Sequence, residues 1–307
     1  MQVLKTAPGE VLDVAFSPDC RAVAAAVEGQ GVFLWNLDSP NIAPVRYDAE
    51  DGYRAGGLSF SQDGRQLAWL TLIGRRTHDR DTRAATTVTV PQSALGTNGL
   101  HHCFDADGVR AVSNHSFPDG SLVGWKRVGG EWVQQWKLST RELFVGSLTL
   151  APTGDRFALF TREVERGPGR PWRLEIRDAA TAAERAGGTY PYSYAAKHLC
   201  FHPHGEHIAG IDGMTLLVWP LSTGGDPRLV RNDNRKHFTA LTYHPSGHRL
   251  FVTSNDETVH VFDAQSLDRV SRYTWQLDKL SAVAISPDGS LAAAGSGNGN
   301  VVVWDLD

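Results

Sequence analysis

Large and small side chains alternate in seven short runs of this chain, and each run leads through a turn into a second apolar stretch. The runs are AFSPDCRAVAAAV, SFSQDGRQLAWL, CFDADGVRAVS, TLAPTGDRFALF, CFHPHGEHIAGI, TYHPSGHRLFVT and AISPDGSLAAAG, anchored on Phe16, Phe60, Phe104, Leu150, Phe201, Tyr243 and Ile285. The residue before each anchor is small: Ala15, Ser59, Cys103, Thr149, Cys200, Thr242 and Ala284. Its other neighbour is large and aliphatic at Val14, Leu58, Leu148, Leu199, Leu241 and Val283, and only His102 departs from the pattern. A period of two puts successive side chains on opposite faces, so each run predicts a strand with one bulky face. The other face takes only small groups, as expected where several strands crowd around an axis. The P-D-G turn and its relatives predict a hairpin, Pro presetting φ and Gly accepting positive φ.

The anchors recur at intervals of 42 to 51 residues, which suits four short strands joined by tight turns and leaves no need for helix. A third strand ends in an aromatic in VFLWNL (Trp35), LVGWKRV (Trp125), LLVWPL (Trp219), VHVFDA (Phe262) and VVVWDLD (Trp304). The fourth copy, WRLEIRDA, has Arg177 at that place. More polar fourth strands follow in PVRYD, WVQQWKL, PRLVRN and DRVSRYTW. The second copy leaves two readings over residues 73–98. Either the polar GRRTHDRDT is its third strand and ATTVTV its fourth, or RRTHDRDTR is a loop and ATTVTV is the third. The second reading is preferred, because Thr86 to Val90 is the only β-prone run there. The longest interval belongs to the fourth copy, where REVERGPGRPW, residues 162 to 172, predicts an extended hairpin.

In these residues the chain resembles the WD40-repeat family over essentially its whole length, the S-P-D-G turns and the closing Trp304-Asp305 carrying the likeness. The resemblance implies an all-β fold, a seven-bladed β-propeller of four-stranded antiparallel blades, with residues 1–307 as one domain. The family's Gly-His dipeptide before the first strand is absent from every copy. Its His-to-Asp hydrogen-bond network is therefore not carried over, and blade packing is expected to rest on apolar contact. The last interval, from Ile285 through both chain ends to Phe16, is short by about one turn. Residues 301 to 306 are therefore expected to pair with residues 2 to 6, closing the ring of a whole propeller with no appended effector domain.

Composition changes this picture little. The 307 residues are 41% hydrophobic and 21% charged, with a net charge of -4 and a pI near 6.3, so neutralising many phosphates is not the expected business of the chain. The first residues show no basic segment leading into an apolar one, and no run approaches the roughly 20 apolar residues of a membrane span. Three cysteines without C-x-x-C spacing point away from a disulfide framework or a thiolate zinc site. A cytoplasmic, monomeric propeller is expected, with no cofactor, no membrane and no nucleic acid.

Candidate chemistry is sparse. His198, His202, His204 and His207 cluster around HPHGEH, but His202 and His204 occupy the S and D places of the repeated turn, so no metal is expected there. GSGNGN, residues 295 to 300, joins two strands and does not open a helix, so it is read as a turn and not as a phosphate loop. No nucleophile elbow, zinc-protease motif or catalytic triad stands out. Irregularity gathers in the loops joining second to third strands and blade to blade, which the resemblance makes the partner-binding face. The candidate residues are Tyr53, Arg54, Arg75, Arg76, Phe144, Arg162, Arg166, Tyr192, Tyr194 and Trp275, types that anchor interfaces through area or bidentate hydrogen bonds. The expected function is a non-catalytic scaffold for a protein or peptide partner. The alternatives are a propeller enzyme of hydrolase or lactonase type at the channel mouth, and polyanion binding by the Arg-rich loops.

Overall fold

The computed structural model describes residues 1–39, 41–47, 56–71, 74–89, 101–104, 109–115, 120–164, 171–190, 196–221 and 226–306. Among them there is no helix, and the strands form seven four-stranded antiparallel sheets. The amino-terminal strand β1 (Gln2–Lys5) precedes blade one, which holds β2 (Val11–Phe16), β3 (Ala22–Val27), β4 (Gly31–Asn36) and β5 (Val45–Tyr47). Blade two holds β6 (Gly56–Phe60), β7 (Gln66–Thr71), β8 (Gly74–Asp79) and β9 (Ala85–Thr89). Blade three holds β10 (His101–Phe104), β11 (Arg110–His115), β12 (Ser121–Val128) and β13 (Glu131–Ser139). Blade four follows with β14 (Leu143–Leu150), β15 (Arg156–Glu163), β16 (Trp172–Asp178) and β17 (Glu184–Tyr190). Blade five is β18 (Lys197–Phe201), β19 (His207–Asp212), β20 (Thr215–Pro220) and β21 (Arg228–Arg231). Blade six is β22 (Phe238–Tyr243), β23 (Arg249–Ser254), β24 (Thr258–Asp263) and β25 (Arg269–Thr274). Blade seven contains β26 (Leu280–Ile285), β27 (Leu291–Ser296) and β28 (Asn300–Asp305), with β1 as its fourth strand.

Two compact units divide these sheets. Residues 1–88 with 232–307 carry blades six, seven, one and two, and residues 89–231 carry blades three, four and five. Blade one shows why its strands form a sheet buried on both faces. Val23, Ala25, Val27, Phe33 and Trp35 pack with Ala293, Val301 and Val303 of blade seven. The alternate positions Ala22, Ala24, Ala26, Val32 and Leu34 pack with Tyr47, Leu67 and Trp69 towards blade two. Burying both faces makes the second and third strands almost wholly apolar, and each fully buried valine contributes about 1.5–3 kcal/mol.

β1 pairs with β28 from Gln2 opposite Val303 to Lys5 opposite Asn300, the expected pairing. Thr6 extends it, its N–H and its hydroxyl both donating to the Gly299 carbonyl at 3.0 and 2.8 Å. Leu4 is buried with Val11, Val301 and Val303. Gly299 sits at φ 86°, and a Cβ there would lie 2.5 Å from the Ala7 carbonyl oxygen, so the turn needs glycine.

Blade two corrects the preferred reading of its third strand. GRRTHD is not a loop but β8, paired with β7 from Gln66 opposite Asp79 to Thr71 opposite Gly74. ATTVT is the fourth strand, β9. The polar strand is tolerated because its inward groups stack. His78 lies flat on Trp69 with ring centroids 4.7 Å apart and meets Tyr47 at 5.0 Å. Arg76 Nε donates to His78 Nε2 at 3.1 Å. The segment after β8 is a tight turn in which Asp79 Oδ1 accepts from the N–H groups of Asp81 and Thr82 at 3.0 and 2.8 Å.

Candidate functional site

The third strand of blade four departs from its counterparts at two alternate positions of one face. Arg177 stands where Trp35, Trp125, Trp219, Phe262 and Trp304 stand in other blades, and Glu175 takes the place of residues such as Phe33 and Val123. The carboxylate of Glu175 is buried at 6% side-chain exposure. Its Oε1 accepts from the Thr161 hydroxyl at 2.6 Å. Its Oε2 accepts from Arg177 Nε at 2.8 Å and Nη2 at 2.6 Å. Arg177 also donates through Nη1 to the Ala182 carbonyl at 2.9 Å and faces Glu184 Oε2 at 3.8 Å. Arg173 pairs with Glu184 Oε1. Losing one partner of such a buried pair typically costs about 3–5 kcal/mol, because the other charge stays in the interior.

An ion-paired guanidinium fills less space than an indole packed on the outer strand, and a cleft of about 600 Å³ opens here. It is lined by this network together with Leu143, Thr161, Arg162, Glu163, Pro171, Trp172 and Thr189. Nearer the other end of the same face, Trp136 of blade three stacks on Phe157 at 5.4 Å.

Arg162 lines the cleft and lies opposite Phe144 across β14 and β15. The Arg162 guanidinium carbon lies 5.5 Å from the Phe144 ring centroid and 4.9 Å from that of Trp172. Two aromatic faces thus fix the guanidinium plane while leaving its N–H edge able to donate. Among the described residues no carboxylate pairs with Arg162, whereas Arg173 and Arg177 are both paired. Phe144 is 50% exposed.

The other candidate residues, and neighbours of theirs such as Arg80 and Tyr190, fall elsewhere. Arg75 and Arg76 lie on β8, and Arg76 is buried against His78. Arg80 donates to the Gly64 carbonyl at 2.8 Å and covers the Phe60 ring. Trp275 packs 4.5 Å from Trp304 and stacks on Tyr273. Tyr190 is buried and donates its hydroxyl to Asp212 Oδ2 at 3.0 Å. Tyr53, Arg54, Arg166, Tyr192 and Tyr194 lie outside the described residues. Sequence reasoning passed over Glu175, Arg173 and Glu184. The signal available for them was a charged pair, Glu175 and Arg177, at alternate places that are both apolar in blades one, three, five and seven.

The family model described as "WD domain, G-beta repeat" matches residues 229–263 and 270–305. Each match runs from an outer strand through the first three strands of the following blade. Blades six and seven thus carry matches to the WD40 repeat. The chain is also 21% identical over 263 residues to the guanine nucleotide-binding protein subunit beta of Oryza sativa subsp. japonica, covering 81% of the chain and 64% of that protein. The same subunit of Zea mays is 24% identical over the same shares. The transcriptional corepressor LEUNIG_HOMOLOG of Arabidopsis thaliana is 21% identical over 98% of the chain and 36% of its own length. The chain thus matches less than two thirds of the length of these relatives.

Proposed function

We propose that this chain is a non-catalytic platform for a protein or peptide partner, docked on blade four around Phe144, Arg162 and Trp172. The observation that carries the reading is a guanidinium held against two aromatic rings, those of the exposed Phe144 and of Trp172, without a carboxylate partner among the described residues, where Arg162 and Trp172 line a cleft. Aromatic and arginine side chains of this kind concentrate binding energy in interfaces. Relatives named as a subunit and as a corepressor are in keeping with a chain that works in an assembly. No disulfide joins the described cysteines, which suits a reducing compartment such as the cytoplasm.

A photo-crosslinking residue at position 144 tests the site against one at position 270, an exposed place on β25. The expected outcome is a partner captured from 144 and not from 270, lost in Arg162→Glu at unchanged melting temperature. Equal capture from both positions, or capture indifferent to Arg162→Glu, would overturn the assignment.

A further inference from the structure

We propose that the turn between β18 and β19 of blade five binds a divalent transition-metal cation, held by His202, Glu206 and His207. One ligand atom from each of the three lies within 4.8 Å of the others. The imidazoles of His202 and His207 meet at 4.9 Å between centroids with planes 85° apart, and Glu206 Oε2 is 4.0 Å from His207 Nε2.

The other histidine-bearing turn supplies the contrast. In blade six, His244 also takes the serine place of the repeated turn. Both its ring nitrogens are occupied within the chain, Nδ1 with the Ser246 hydroxyl at 2.7 Å and Nε2 with the Gly289 carbonyl at 3.1 Å. That histidine is a structural substitute for serine. In blade five a second imidazole and a carboxylate converge on the first, and His207 Nδ1 is buried with no hydrogen-bond partner among the described residues. A turn that needed only a serine substitute would require neither.

The fit is close to what a tetrahedral centre needs. Metal–ligand bonds of about 2.0–2.2 Å place ligand atoms about 3.3 Å apart. His202 and His207 are held by burial at 3% and 14% exposure, whereas the Glu206 side chain is 64% exposed and can swing inward. Two imidazoles and one carboxylate favour zinc, nickel or copper over magnesium or calcium, and a fourth position remains for water. His202 Nδ1 accepts from the His204 N–H at 3.2 Å. Coordination through either ring nitrogen of neutral His202 gives up that bond, so the cation and this turn contact are alternatives. Two arginines stand nearby. Arg156 of blade four covers Gly205 with its charge met by Asp155 at 3.5 Å, and the charge of Arg228 reaches His207, where Glu206 opposes it.

The probe is zinc(II), titrated calorimetrically into chelator-treated, untagged full-length protein, with magnesium as control and a thermal melt in parallel. One zinc per chain and a raised Tm are expected in the parent. His202→Ser, which restores the serine of other blades, and Glu206→Gln, on an exposed side chain, are each expected to weaken binding about 10–100-fold or more. Their metal-free melts should match the parent. His244→Ser should bind as the parent does. Absence of zinc binding in the parent would overturn the site, as would affinity unchanged in both His202→Ser and Glu206→Gln. Loss of binding in His244→Ser at unchanged melt would also refute it, by moving the site to blade six.

Discussion

Asp13 in β2 faces the irregular first strand of the next blade, where the register of β6 shifts between Gly56 and Ser59. Its Oδ2 accepts from the Leu58 N–H at 2.8 Å and its Oδ1 from the Val14 N–H at 2.9 Å. Withdrawal from solvent raises its pKa from 3.8 to about 6, against the opposing pull of these N–H groups and of Gly57. A carboxyl whose folded pKa exceeds its unfolded one favours the protonated folded state. Its contribution is therefore full below about pH 4 and is lost as pH rises through about 6. Asp13→Asn removes the titration. Melts across this range should show the parent losing stability relative to the variant as pH rises, and a constant difference between the two would rule the assignment out. Asp178 behaves with the opposite sign. The Arg185 guanidinium and the N–H groups of Ala180 and Thr181 hold it down at about 2, so its contribution is lost only as pH falls towards that value.

At the scale of the element, β1 is a four-residue strand whose one strand partner among the described residues is β28. Deleting residues 1–7 would expose the backbone edge of β28 and open the cluster around Leu4 and Val303. A clear fall in Tm is expected, and an unchanged melt would mean that the pairing contributes nothing. This pairing was legible in the sequence because it follows from interval lengths, and the alternation of bulk and smallness located the first strand of every blade. The third strand of blade two was not legible from hydrophobicity, since Arg76 and His78 earn their burial by stacking and hydrogen bonding. A subtler signal was present. Asp79 with Thr82, Asp178 with Thr181 and Asp263 with Ser266 close the same turn after the third strand, with positive φ at Arg83, Ala182 and Leu267. Of the site, Phe144 and Arg162 were visible as residue types in irregular segments. Their meeting across two strands depends on register, and the cleft depends on a charge network that no single residue announces. Trp275 and Arg76 show the converse, interface-like residues engaged in packing within the fold.

For the molecule as a whole, repetition means that each blade contributes two apolar faces and stability accrues between neighbours. One unit, residues 89–231, is contiguous in sequence, while the other draws on both ends of the chain. Blade seven cannot be completed until residues near both ends meet, a contact of high sequence separation that is slow to form. The direction of that contact carries a mechanical consequence. Because β1 runs antiparallel to β28 and Gln2 lies opposite Val303, both termini leave the sheet at the same end, and Met1 N sits 3.6 Å from Asp305 Oδ2. Tension applied between residues 1 and 306 would load the pairs one after another, as a zipper opens, and not all together in shear. In an optical trap the first rupture should be a small, low-force step that releases β1, and its disappearance in the variant lacking residues 1–7 would identify it.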